Sequence, residues 1–94
     1  MAIKTWACDL SRDLFERKWN RIVPPTVARR ARRKLLLVNA AAEIAFLRVP
    51  PGNRLEKLKG DRSGQWSIRI NDQFRTCFVF RAGDAYKVGV VDYH

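Results

Sequence analysis

Three runs of alternating apolar and polar residues, joined by connections too short to do more than reverse the chain, constrain the fold more than any other feature. Trp66, Ile68 and Ile70 alternate with Gln65, Ser67, Arg69 and Asn71, the two-residue period of a strand with one buried face. Asn71-Asp72-Gln73 reads as a hairpin connection. Phe74, Thr76, Phe78 and Phe80 then alternate with Arg75, Cys77, Val79 and Arg81. Ala82-Gly83-Asp84 makes the next turn. Beyond it Tyr86, Val88 and Val90 fall on one side of a last strand, with Lys87, Gly89 and Val91 on the other. Such short turns make residues 65–71, 74–81 and 85–91 antiparallel neighbours. One face must be covered by helices, which leaves the face bearing Ser67, Arg69 and Arg75 for function.

The covering layer comes first in the chain. Residues 9–18 read as a helix, with Leu10 and Leu14 on one face and Asp9 or Ser11 available as N-cap. Pro24-Pro25 ends one element and starts the next. Residues 26–42 form the clearest helix: Val27, Ala31, Leu35, Val38 and Ala42 share a stripe roughly 100° wide, the width of a core-facing side. Residues 3–7 predict a short first strand. Pro50-Pro51-Gly52 reads as a rigid turn between the helical and sheet halves. With 94 residues, the chain is expected to form one domain over 1–94, of the α+β class, its N-terminal helices packed on an antiparallel sheet.

Charge narrows the partners. Lysine and arginine total 19 against 9 acidic residues, a net charge of +10, which points to a polyanion. Arginine outnumbers lysine 13 to 6, and its planar fork of donors matches phosphate oxygens. Arg29, Arg30, Arg32 and Arg33 spread round the polar circumference of the second helix, where solvent, RNA phosphates or an acidic partner are all open readings. An apolar share of 47% argues against disorder. The longest apolar stretch, residues 35–42, is far short of a bilayer span, so the chain is expected to be soluble and cytoplasmic. Cys8 and Cys77 are read as two reduced, largely buried thiols. One histidine and two distant cysteines make no metal-ligand set, and no cofactor is expected.

The candidate chemistry lies toward the end of the chain. His94 suits proton transfer at neutral pH. Asp92 can orient it or share its proton work, and Tyr93 can stack on a base or donate to phosphate. Lys59 and Arg75 can stabilise charge building on a phosphorus centre under attack. Lys59-Gly60-Asp61-Arg62-Ser63-Gly64 lacks the spacing of a phosphate loop and reads as a polar hairpin. Glu56 reads first as a surface charge, Trp66 as core. Cys77 has no neighbouring histidine to activate it. These parts fit metal-independent RNA cleavage, in which the ribose 2′-hydroxyl attacks the adjacent phosphate.

The run Gly52-Asn-Arg-Leu-Glu-Lys-Leu-Lys-Gly-Asp-Arg-Ser-Gly-Gln-Trp-Ser-Ile-Arg-Ile-Asn-Asp-Gln-Phe-Arg75, closed by Val91-Asp-Tyr-His94, resembles the HigB-type toxins, the plasmid-maintenance "killer protein" branch of the RelE/ParE superfamily. The resemblance is dense over residues 53–94. It implies a RelE-like microbial ribonuclease fold and cleavage of translated mRNA in the A site of the 70S ribosome, without a metal. It also implies neutralisation by a HigA-type helix-turn-helix antitoxin, through which alone the chain would meet DNA, and no membrane partner. On matching positions, the transition-state cations fall on Lys59 and Arg75 and the C-terminal catalytic group on Asp92, Tyr93 and His94. Arg62, Arg69, Arg29 and Arg33 are expected to hold RNA phosphates. Some members of the branch carry histidine where this chain has Glu56, so a second imidazole is absent. Two other functions compete: a non-catalytic ParE-like blocker of DNA gyrase, and a basic module that only occupies the ribosome.

Overall fold

Alternation and helical stripe meet as expected in the computed structural model, which describes residues 2–18 and 23–92; Met1, residues 19–22, Tyr93 and His94 lie outside the described residues. Helix α1 (Asp9–Phe15) buries Ser11 and Leu14. It stops short of the expected residue 18 because Arg17 takes a left-handed backbone, φ 63°. The amides of Arg17 and Lys18 turn back to the carbonyls of Leu14 (3.4 Å) and Asp13 (2.8 Å), which satisfies the last turn in the Schellman manner. Helix α2 (Pro25–Ala40) starts with proline in its first turn, where no amide is needed. Its buried stripe is Ala28, Ala31, Leu35 and Val38. Val27 and Ala42, expected in that stripe, are only half-buried, and Ala28 takes the inner position.

Two short 3-10 turns, Ile44–Arg48 and Pro51–Asn53, connect helices to sheet. Asn53 holds them together. Fully buried, it donates from Nδ2 to the carbonyls of Leu47 (3.1 Å) and Val49 (3.2 Å), and its Oδ1 accepts from Lys34 Nζ. The proline-rich segment is thus a rigid turn because a buried amide satisfies its carbonyls.

Among the described residues four antiparallel strands form one sheet in the order β1 (Glu56–Lys57), β2 (Trp66–Arg69), β3 (Phe74–Arg81), β4 (Asp84–Asp92). Strand β2 ends before the expected residue 71. There the side chain of Asn71 accepts from the amides of Gln73 (2.9 Å) and Phe74 (2.7 Å), folding the hairpin on a side-chain oxygen. Residues 3–7 make isolated parallel bridges rather than a strand, Ile3 with Ala85 and Trp6 with Val88, and so cover the outer edge of β4.

Register sorts the two faces. Ile68, Thr76 and Val90 lie in one row, and Ile68, Ile70, Phe78 and Val88 pack with Leu14, Ala28, Ala31, Leu35 and Val38 as the main core. Ser67, Cys77 and Gly89 form a row on the other face, with Arg69, Arg75 and Val91 beside them. That second face is less open than alternation implies, since Ser67, Cys77 and Arg75 are all buried. The turn ending at Arg54 and the segment around Ala7 reach over its two sides.

Candidate functional site

Arg75 stands at the middle of this second face, on β3 between β2 and β4, with 9% of its surface exposed. A guanidinium this deep must have its donors met. Its Nε donates to Ser67 Oγ at 2.9 Å, and its Nη2 to the carbonyls of Arg54 at 2.7 Å and Ser67 at 3.5 Å. The Arg54 carbonyl is presented by a left-handed residue, φ 45° and ψ 57°, that closes the Pro51–Asn53 turn. The buried Asn53 therefore indirectly fixes where the guanidinium sits. Glu56 Oε2 lies 3.5 Å from Nη2, brought there because Glu56 on β1 is the cross-strand partner of Ser67 on β2. Its side chain remains 55% exposed. Glu56 is thus an exposed charge that lies beside Arg75. Pairing of β1 with β2 is the fact that decides this, and the two residues of β1 carry too little periodicity for sequence alone to find it.

Next to Arg75 along the same face lies a groove of about 400 Å³ bordered by Arg62, Cys77, Gly89 and Val91, with Trp6 and Lys87 at its edge. Gly89 keeps the floor low, since a Cβ there would meet Ala7 Cβ at 2.9 Å. Arg62 extends from the 3-10 turn Gly60–Arg62 and donates to Gln65 Oε1 at 3.4 Å. Cys77 forms the base. Burial pushes its thiol up from the ordinary value, with the nearby Arg62 and Arg75 cations pulling the other way. A thiol held protonated is a poor nucleophile.

The other expected residues divide. Lys59 is exposed at the start of the Gly60–Arg62 turn, on the connection between the strand bearing Glu56 and the strand bearing Ser67. Arg69 is the cross-strand partner of Arg75, but its guanidinium pairs with Asp72 in the hairpin. Asp92 ends β4 opposite Phe74, so register places it one residue past Val91, the partner of Arg75. Its Oδ2 accepts from Gln73 Nε2 at 3.1 Å. Arg29 and Arg33 lie on α2, in a separate cleft with Arg17, Arg32 and Leu36. Tyr93 and His94 fall outside the described residues. Cys8, expected to be largely buried, is exposed, and both cysteines are free thiols. Among the described residues no three His, Cys, Asp or Glu side chains gather to hold a metal, and no helix is long and apolar enough to cross a membrane.

Chemically, the arrangement presents a fixed cation with a half-exposed carboxylate beside it, at the rim of a groove edged by further cations. That set can bind an anion and exchange a proton close to it.

Comparison with known proteins bears on the family and the fold. Residues 6–94 match the family model described as the RelE-like toxin of the type II toxin-antitoxin system HigB. The chain is similar to Toxin HigB-1 of Vibrio cholerae serotype O1, 41% identical over 68 residues, 72% of each chain. It is also similar to Endoribonuclease HigB of Proteus vulgaris, 39% identical over 85 residues, 86% of this chain and 87% of the relative. Among solved structures, the YoeB-YefM complex from Staphylococcus aureus contains a chain of like fold. The TM-score is 0.61 at 21% identity, covering 100% of this chain and 97% of that one.

Proposed function

Because the chain belongs to the HigB-like family of RelE-like toxins of type II toxin-antitoxin systems, we propose that it is an endoribonuclease that cleaves mRNA during translation, in the ribosomal A site, and so arrests growth. The observation that carries this reading is the buried Arg75, oriented by Ser67 and Arg54 with Glu56 at its side.

The reaction needs no metal. The ribose 2′-oxygen attacks the adjacent phosphorus as its proton passes to a base. A 2′,3′-cyclic phosphate forms, the bond to the 5′-oxygen breaks, and an acid returns a proton to that oxygen. Arg75 and Lys59 neutralise the additional charge on the phosphorane oxygens, the interaction that strengthens toward the transition state. His94 serves as general acid or base, with Asp92 as its partner or as alternate base, and Tyr93 holds the nucleotide. Glu56 is a further proton acceptor, where some relatives have an imidazole. Arg62 and Arg69 contribute phosphate contacts at the groove and its neighbouring row. A net charge of +10 favours association with ribosomal RNA.

Mapping RNA 5′ ends after inducing the wild-type chain and the Arg75→Ala and His94→Ala variants tests the proposal. New ends within translated codons are expected from the wild type and not from either variant. Unchanged cleavage in both variants would refute the mechanism. Growth arrest with intact mRNA and DNA damage would point instead to a gyrase blocker, and arrest without new RNA ends to a ribosome-occupying module.

A further inference from the structure

Among the described strand residues, Lys87 alone has a left-handed backbone, at φ 53°. Cys77 pairs with Gly89 and Val79 with Tyr86, so Phe78 on β3 faces two residues of β4, Lys87 and Val88. The result is a bulge whose first residue is left-handed, a position that normally falls to glycine. A lysine there carries the steric strain of its Cβ. Two bonds hold it in place: the Lys87 amide donates to Thr5 Oγ1 at 2.8 Å, and the Val88 amide to the Thr5 carbonyl at 3.1 Å. The core uses the bulge, which keeps Val88 among its packed residues. It has no use for the lysine side chain, which is exposed. A side chain kept where glycine would be less strained points to a task outside the core.

Its surroundings name the task. Lys87 edges the groove of about 400 Å³ that runs on from Arg75, with Gly89 as floor and Trp6 as an aromatic wall. Trp6 is steadied from behind by Phe15, ring centroids 5.4 Å apart. Val91, the cross-strand partner of Arg75, lies four residues beyond Lys87 on β4, a distance of about 13 Å along a strand. Among the described residues Lys87 has no carboxylate partner. A groove with an aromatic wall and cations along its edge is built as single-stranded nucleic acid sites are, the cations following the backbone and the ring facing a base.

We propose that a nucleotide flanking the cleaved linkage lies in this groove and that Lys87 binds its phosphate. The inference rests on the ribonuclease reading and adds a subsite to it. Arg75 meets the phosphate that reacts, whereas Lys87 meets one that does not. The Lys87 contact is therefore equally strong in bound substrate and transition state, and it contributes to affinity rather than to turnover.

The test compares Lys87→Gly, Lys87→Gln and Lys87→Arg with the wild type in cleavage of mRNA on programmed ribosomes. Lys87→Gly and Lys87→Gln are expected to raise KM roughly 3- to 10-fold with kcat within about twofold, and Lys87→Arg to stay near the wild type. Stability should not follow the loss: Lys87→Gly relieves the strained backbone and should melt at or a few degrees above the wild-type temperature. A message carrying one uncharged methylphosphonate linkage, moved stepwise to either side of the cleavage position, identifies the phosphate. At one position it should cost the wild type as much as Lys87→Gln does, and cost Lys87→Gln nothing further. Wild-type KM in both Lys87→Gly and Lys87→Gln would overturn the proposal. So would a KM loss that no methylphosphonate reproduces, which would assign Lys87 to ribosomal RNA. If the wild type cleaves nothing, the ribonuclease reading fails by itself. The subsite is then decided by binding of an oligoribonucleotide with 2′-deoxyribose at the cleavage position. Its affinity should fall less steeply with salt in Lys87→Gln, the logarithmic slope dropping by about 0.7, and an unchanged slope would refute the subsite.

Discussion

Ser67 Oγ accepts the Nε–H of Arg75 at 2.9 Å, and the serine is wholly buried. The bond fixes the plane of the guanidinium, leaving its orientation determined before substrate arrives. Ser67→Ala removes that constraint without removing the charge. Turnover is therefore expected to fall roughly 10-fold, with KM little changed, because what is lost is alignment toward developing charge. Arg75→Lys keeps the charge but not the fork and should cost about 10²–10³ in turnover. Single-turnover cleavage of mRNA on programmed ribosomes measures both. A larger loss from Ser67→Ala than from Arg75→Lys would contradict the positioning role.

The two thiols provide an independent check on burial. Cys8 is exposed and Cys77 buried, and burial raises the Cys77 thiol above its usual range. At pH 8 an alkylating reagent should modify Cys8 rapidly and Cys77 only on unfolding. The folded chain keeps the Cys77 proton to higher pH than the unfolded chain does. From about pH 8.5 upward, where a free thiol ionises, the unfolded state binds fewer protons and stability falls as pH rises. Cys77→Ala should flatten this alkaline decline, which denaturant melts at pH 7 and pH 10 would reveal.

Alternation made most of the sheet legible: Phe74 to Arg81 is a strand from end to end, because each second side chain had to enter one core. The helix over Pro25–Ala40 was legible for the same reason, although periodicity alone did not separate Val27 from Ala28 as the inner residue. Alternation failed in the last strand, where a bulge at the left-handed Lys87 (φ 53°) pairs Tyr86 with Val79 and sets Ala85 rather than Tyr86 in the core with Val88. What alternation could not reveal is how closed the second face is. Ser67 and Cys77 are buried by the Arg54 turn and the segment around Ala7, elements joined to the sheet only by tertiary packing. Arg75 was identifiable as a candidate from its place on that face and from the resemblance. Glu56 reads first as a surface charge, and its side chain is more than half exposed; that it also lies beside Arg75 depends on pairing with Ser67 across a strand of two residues. The arginines of α2 were legible as a cluster, but a helix pattern does not say which of them share a cleft with Arg17.

Thr76 tests the core side. It is fully buried, in the row with Ile68 and Val90, and among the described residues its Oγ1 has no hydrogen-bond partner. A buried hydroxyl left unsatisfied costs about 1–3 kcal/mol. Thr76→Val keeps the shape and removes the group. The variant is expected to be more stable by about 1 kcal/mol, a rise in Tm of roughly 4–8 °C for a domain of this size. A lower Tm would mean that the hydroxyl is satisfied in solution.

Gly89 gives the most stringent prediction, because it concerns space alone. Its backbone is not left-handed, so conformational freedom is not the reason for glycine there. The reason is that an added Cβ would lie 2.9 Å from Ala7 Cβ and 3.9 Å from Ser11 Oγ. Ala7 cannot easily withdraw, since its amide is bonded to the Val88 carbonyl at 2.8 Å, and Ser11 Oγ accepts from the Val90 amide at 2.9 Å. Gly89→Ala must therefore push the N-terminal segment off the edge of β4, at an expected cost of about 1–3 kcal/mol. Because Gly89 also floors the groove, activity should fall along with stability. Gly52→Ala is the control: nothing lies within 4 Å of its Cβ position and its φ is ordinary, so it should be neutral or more stable by up to about 1 kcal/mol. Hydrogen exchange at the Ala7 and Val88 amides would localise the damage. Equal melting curves for the two alanine variants would show that the segment over β4 gives way freely.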